Sequence, residues 1–139
     1  MKKSFKSVLT FALALVMMVT CMAVTAFASS SDSTTIAGYS ASANVSYTRS
    51  SATATTTFGG PSSAYVSATV TAYYESGDTD YRRQASGLNS PGYSVARINI
   101  DIPGAQVRGA EGEHRVYYDG HQWTPATEVG VILHGAEWD

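Results

Sequence analysis

Residues 64–75 read AYVSATVTAYYE. Ala64, Val66, Ala68, Val70, Ala72 and Tyr74 fall on one side of a period-two repeat, and Tyr65, Ser67, Thr69, Thr71 and Tyr73 on the other. Successive side chains of a strand point to opposite faces, so this stretch reads as a strand with one small apolar face and one polar, aromatic face. The same period runs outward in both directions. Tyr39, Ala41, Ala43, Val45 and Tyr47 alternate with polar residues; Ala52, Ala54, Thr56 and Phe58 resume the pattern after Arg49-Ser50-Ser51. Gly59-Gly60-Pro61-Ser62 then breaks it, as Gly and Pro do at turns. Tyr93–Ile102 sets Ala96, Ile98, Ile100 and Ile102 on one face. Tyr81–Gly87 reads as a short polar edge strand guarded by Arg82 and Arg83. Val107–Ala110 adds a short piece, and His114–Tyr118 and Thr127–His134 read as the last strands. Asp119-Gly120 is a tight-turn dipeptide leading into Gln122–Thr124. No helical period occurs after residue 28. About seven strands separated by turn signals predict an all-β fold, an antiparallel β-sandwich of immunoglobulin-like, Greek-key type. The small inward residues require closely packed sheets or large residues opposite, and the tyrosines, Phe58 and Trp123 are available to fill that space.

The first 28 residues have a different character. Lys2, Lys3 and Lys6 make a basic start, an uncharged apolar run spans Val8–Val24, and Ala26-Phe27-Ala28 supplies small residues where a signal peptidase reads. This is the pattern of a helical secretory signal peptide over 1–28, cut between Ala28 and Ser29. Ser7–Ser31 carries no charge and is long enough to span a bilayer, but the small residues before a Ser-rich stretch favour cleavage. Cys21 follows Val19-Thr20, a poor match to a lipid-attachment site. The expectation is a secreted, extracellular protein with a flexible leader over 29–35 (SSSDSTT) and one domain over 36–139.

Removal of the signal takes all three lysines and the single cysteine with it. In the remaining 111 residues, six arginines stand against eleven carboxylates, a net charge of −5. Nucleic-acid binding rests on phosphate neutralisation by Lys and Arg, so this balance argues against a nucleic-acid partner. It argues equally against an electrostatic hold on anionic membranes. The domain must fold without disulfides, and its length suits one core.

The chemistry-bearing residues are sparse. His114 and His121 flank a turn containing Asp119, with Glu111 and Glu113 upstream and His134 near Glu137, but no zinc spacing and no HExxH occurs. The acidic turn Glu75–Asp80 lacks the loop length and terminal Glu of an EF-hand. No GxSxG is present, and Asp101 is an isolated acid in an apolar strand. No catalytic residue, metal or cofactor is therefore assigned. The aromatics are richer. All nine tyrosines and both tryptophans lie beyond residue 28. Tyr65 and Tyr73 fall opposite the Ala/Val stripe, Tyr117 and Tyr118 are adjacent so one must point outward, and Trp123 follows a turn. Tyr65, Tyr73, Tyr118 and Trp123 are the candidate binding residues of a non-enzymatic module for a cell-surface glycan, wall polymer or protein. Cross-strand tyrosine pairs that only stabilise a sheet are the structural alternative. Ser50–Tyr74 contains no charge, which raises self-association into an extracellular structural protein as a second function. A secreted antibacterial or toxin-like factor is a third, with the acidic charge counting against direct membrane attack.

Gly109-Ala110, His114-Arg115-Val116 and Gly120-His121-Gln122-Trp123-Thr124, behind a clostridial-style signal peptide, make the chain resemble small secreted β-rich proteins of Gram-positive bacteria. The resemblance covers about thirty residues. It implies secretion by such a bacterium and carries over no catalytic or binding residue.

Overall fold

The structure is a computed structural model that describes residues 28–139. The signal-peptide reading and Cys21 fall outside the described residues, Ala28 excepted. Ten strands and no helix occur among the described residues: β1 (Ala28–Ile36), β2 (Tyr39–Tyr47), β3 (Ser51–Phe58), β4 (Tyr65–Ser76), β5 (Thr79–Leu88), β6 (Val95–Asp101), β7 (Gln106–Tyr118), β8 (His121–Trp123), β9 (Ala126–Gly130) and β10 (Glu137–Trp138). They form two sheets, one ordered β1-β2-β3-β6 and the other β10-β5-β4-β7-β8, with β9 also on β7. Every pairing is antiparallel except β10 on β5.

The period-two stripes meet between the sheets. Ala41, Val45, Ala52, Ala54, Ala96 and Ile100 of the first sheet share one core cluster with Val66, Ala68, Val70, Ala72, Tyr74, Ala110 and Val116 of the second. The largest fully buried side chains are only valines and Thr56. Two larger rings, Phe58 and Tyr74, are buried in the same cluster, and further tyrosines pack against them from its margins. At one rim Tyr118 packs edge-on to Tyr39 at 5.9 Å and against Phe58 at 5.4 Å. At another, Tyr74 stacks on Tyr81 at 5.8 Å.

Four expectations change. Residues 29–35 are not a flexible leader; they belong to β1, paired with β2 along its whole length. The joining turn is Ala37-Gly38, both with positive φ (49° and 86°), the geometry of a tight two-residue hairpin. Second, the two pieces read over 107–110 and 114–118 are one continuous strand, β7. Gly109 and Gly112 break its apolar pattern because neither position has room for a side chain. A Cβ on Gly112 would lie 2.5 Å from His114 Nε2 and 2.6 Å from Thr127 Oγ1. A Cβ on Gly109 would lie 2.4 Å from the Val131 carbonyl oxygen, since the chain leaving β9 crosses directly above it. Third, β5 is not an outermost strand: Glu137 and Trp138 pair with Tyr81 and Arg82 at its free side. Fourth, the uncharged 50–74 stretch supplies β3 and most of β4, and both strands are paired on both edges.

The last 130s explain the sheet's closure. β9 lies beside β7 and β10 beside β5, so residues 131–136 must pass from one side of the second sheet to the other. They do so as a strap over the outer face. The Trp138 ring then lies 4.0 Å from the Arg82 guanidinium carbon, and Asp139 bonds both Tyr74 and Arg83.

Candidate functional site

The outward residues of the second sheet follow from its register. On β4 they are Tyr65, Ser67, Thr69, Thr71 and Tyr73. Opposite them on β7 stand Tyr117, Arg115, Glu113, Glu111 and Gly109. On β5, Leu88, Ser86, Gln84 and Arg82 partner Ser67, Thr69, Thr71 and Tyr73. The face is thus aromatic at one end, polar through its middle and aromatic again beneath the strap.

At the open end Tyr65 and Tyr117 are directly opposed and remain 42% and 48% exposed. Arg115 lies 5.6 Å from the Tyr65 ring centre and donates to Gln122 Oε1 at 2.9 Å. Gln122 is itself the register partner of Tyr117. Leu88, also exposed, sits diagonally from Tyr65 across β4. Two rings, a guanidinium and an amide are therefore held in fixed positions on paired strands.

Beside this platform the face dips. β8 and β9 share one edge of β7, but Thr124-Pro125 interrupts them; Pro125 has no N–H to give and offers only its carbonyl, to the His114 amide at 3.1 Å. The interruption and the small residues Ser67, Thr69 and Ala126 leave an open depression of about 370 Å³, walled by Glu113, Arg115, Thr124 and Pro125. Further along, Gln84 donates to Thr71 and Tyr73 donates to Glu111.

The four sequence-nominated residues separate. Tyr65 is on the platform. Tyr73 lies on the same face but is only 5% exposed, because the strap crosses this end. Burial, and then the Glu111 carboxylate, pushes its phenol up to about 12, so it is a neutral donor. Tyr118 and Trp123 point inward and pack against the core cluster. Exposure is therefore corrected for Tyr73, which is buried, while Tyr118 and Trp123 are half-buried with their rings against the core. Tyr117, Arg115 and Gln122 take their place. The signal for Tyr117 was available in the alternation. With Val116 inward between them, Tyr117 faces the same side as Arg115, whereas Tyr118 continues the inward row of His114 and Val116.

His114 accounts for the histidine reading. It is 3% exposed, while Asp119 and His121 are exposed at the β7–β8 turn, so the three share no pocket. His114 Nδ1 is 2.8 Å from Thr56 Oγ1 and Nε2 is 2.8 Å from Thr127 Oγ1. Thr56 also donates to the Ser67 carbonyl at 2.8 Å. Its one proton being used there, Thr56 accepts from Nδ1–H; burial keeps Nε2 unprotonated at neutral pH, so Nε2 accepts from Thr127. The ring is thus neutral and links β3 of one sheet to β7 and β9 of the other. Burial lowers its pKa to about 4. Among the described residues no group of three or more His, Cys, Asp or Glu side chains is arranged to hold a metal ion. No family, curated protein or solved structure matches this chain, so the functional reading rests on its own geometry.

Proposed function

We propose that this chain is a secreted, non-enzymatic binding module that recognises a carbohydrate-bearing polymer of a cell surface through the outer face of its second sheet. The carrying observation is the opposed pair Tyr65 and Tyr117, exposed on paired central strands with Arg115 and Gln122 fixed beside them. Rings held flat on a sheet offer large contact area at little entropic cost, and a guanidinium and an amide supply directional bonds to hydroxyls. The shallow open depression suits an extended chain laid across the face better than a small molecule enclosed in a cavity. In this reading the two sheets form an immunoglobulin-like Greek-key sandwich, supported by the pairing of β3 with β6 in one sheet and β4 with β7 in the other.

The test is retention of the purified protein on insoluble cell-wall material and on whole bacterial cells at low and high salt. Binding through rings and hydroxyl contacts persists at high salt. Tyr117→Ala and Tyr65→Ala are expected to lower retention at least tenfold together while lowering the melting temperature by only a few degrees, since both rings are on the surface and a cross-strand pair contributes roughly 0.2–1 kcal/mol. Wild-type retention by the double variant would refute the reading.

A further inference from the structure

Glu113 and Arg115 occupy successive outward positions of β7, about 6.8 Å apart along the strand. Both are exposed and both line the depression. Among the described residues neither takes part in an ion pair. The two ion pairs among the described residues are Arg83–Asp139 and Arg108–Glu75, elsewhere on the molecule. Arg115 is turned instead toward Gln122 and the Tyr65 ring. Across the strands Glu113 faces Thr69 and Ala126, and Arg115 faces Ser67, so no neighbour in register neutralises either. A separated cation and anion, held side by side on the rim of one hollow and next to two exposed rings, complement a ligand that carries both charges itself.

From this geometry we infer that the platform is specific for a zwitterionic wall polymer, one whose repeats bear an anionic phosphate or carboxylate and a free amine, such as an ester-linked amino acid. Arg115 takes the anionic group, Glu113 the ammonium, and Tyr65 and Tyr117 the sugar or polyol carbons between them. The inference rests on the binding-module reading and narrows it. Net charge points the same way. At −5, the mature domain is repelled by a polymer that is purely anionic, and contact with the ammonium groups removes that penalty.

The experiment uses a purified polyol-phosphate wall polymer bearing ester-linked alanine. Its partner is the same polymer after mild alkaline removal of the alanine, and a neutral insoluble N-acetylglucosamine polymer serves as a third surface. The full chain is expected to bind the alanylated polymer more tightly than the stripped one. Glu113→Gln should weaken binding to the alanylated polymer about two- to fivefold per contact, the range of one exposed ion pair, and erase most of the preference. Arg115→Gln should weaken binding to both phosphate polymers and leave their ratio near the wild-type value. Equal wild-type binding to both phosphate polymers, or a Glu113→Gln variant that keeps the full preference, overturns the inference. If the neutral polymer still retains the protein through Tyr65 and Tyr117, the module reading survives that result. Absence of retention on all three surfaces overturns both.

Discussion

Lowering the pH from 7 toward 4 should destabilise this domain before most of its carboxylates titrate, and His114 is the reason. In the fold the imidazole is neutral, with Nδ1–H given to Thr56 and Nε2 receiving from Thr127. A second proton on Nε2 would put a full charge on a ring that is only 3% exposed and has no carboxylate partner among its hydrogen bonds. Burial accordingly holds the folded pKa at about 4, against 6.5 for the exposed side chain. Between those values the unfolded chain binds more protons than the folded one, so stability falls as pH falls. The contribution is fully present above pH 6.5, declines through the window and is exhausted below about 4. A gap of about 2.5 pH units at about 1.36 kcal/mol each amounts to roughly 3 kcal/mol. That is a large share of the total for a domain whose unfolding free energy is on the order of 5–15 kcal/mol. The assay is urea unfolding at pH 7.5, 6.5, 5.5 and 4.5, with the midpoint converted to free energy at constant m-value. His114→Leu supplies the control. It should be less stable at pH 7.5 by about 1–3 kcal/mol, because Thr127 loses its acceptor, yet show a much flatter profile between 6.5 and 4.5. A wild-type midpoint that does not move over this range, or a His114→Leu variant with the same slope, refutes the argument.

Three further outcomes test other parts of the fold. Gly112→Ala drives a methyl into His114 Nε2 and Thr127 Oγ1 and should cost about 2–4 kcal/mol from overpacking and the broken network, read as a drop of roughly 10 °C or more in Tm. Ala37→Asn keeps the left-handed φ of 49° with a residue better suited to it, and should stabilise by roughly 0.5–1 kcal/mol in urea unfolding; a loss of stability would show that the β1–β2 turn is not as described. Tyr73→Phe removes the phenol donated to Glu111 and should cost about 1 kcal/mol while leaving retention on cell-wall material unchanged, which separates a structural tyrosine from a recognising one.

What the sequence reveals of this fold depends on where the apolar atoms are. β2, β3, β4 and β6 bury one face of Ala, Val, Ile or Phe, so their alternation is visible directly. β1 has no such face. Its inward positions include Ser30, Asp32 and Thr34, opposite Val45, Ala43 and Ala41, and the turn that folds it back is Ala-Gly instead of an Asn-Gly or Asp-Gly signal. Polar residues on both faces make a strand look like a linker. β7 is hidden for a different reason: two glycines stand where other parts of the chain approach its backbone, and a buried histidine takes an inward position that reads as chemistry. The site is legible to the extent that it is local. Tyr65 follows from the alternation of its own strand. The burial of Tyr73 does not, because its cover is a strap some sixty residues later in the chain, and no local pattern encodes that crossing.

The cost of aromatic residues in this molecule favours the platform as its working surface. The core is mostly alanine, valine and isoleucine and takes in only two whole rings, Phe58 and Tyr74. Tyr39, Phe58 and Tyr118 seal one rim, Tyr74 and Tyr81 another, and Tyr47 and Trp123 pack against the core from its margins. Tyr73 lies under the strap, and Trp138 fastens it over Arg82. Each of these rings has a structural use. Tyr93 stands alone in the β5–β6 connection. Tyr65 and Tyr117 differ from both groups in being opposed on central strands, flanked by an arginine and an amide, and adjacent to a depression whose rim carries Glu113 and Arg115. A cross-strand tyrosine pair stabilises a sheet by roughly 0.2–1 kcal/mol, and Thr or Val pairs at the same positions would give a comparable return without exposing two rings. The proposed binding role gives these two rings a use that the pairing of the strands alone does not require.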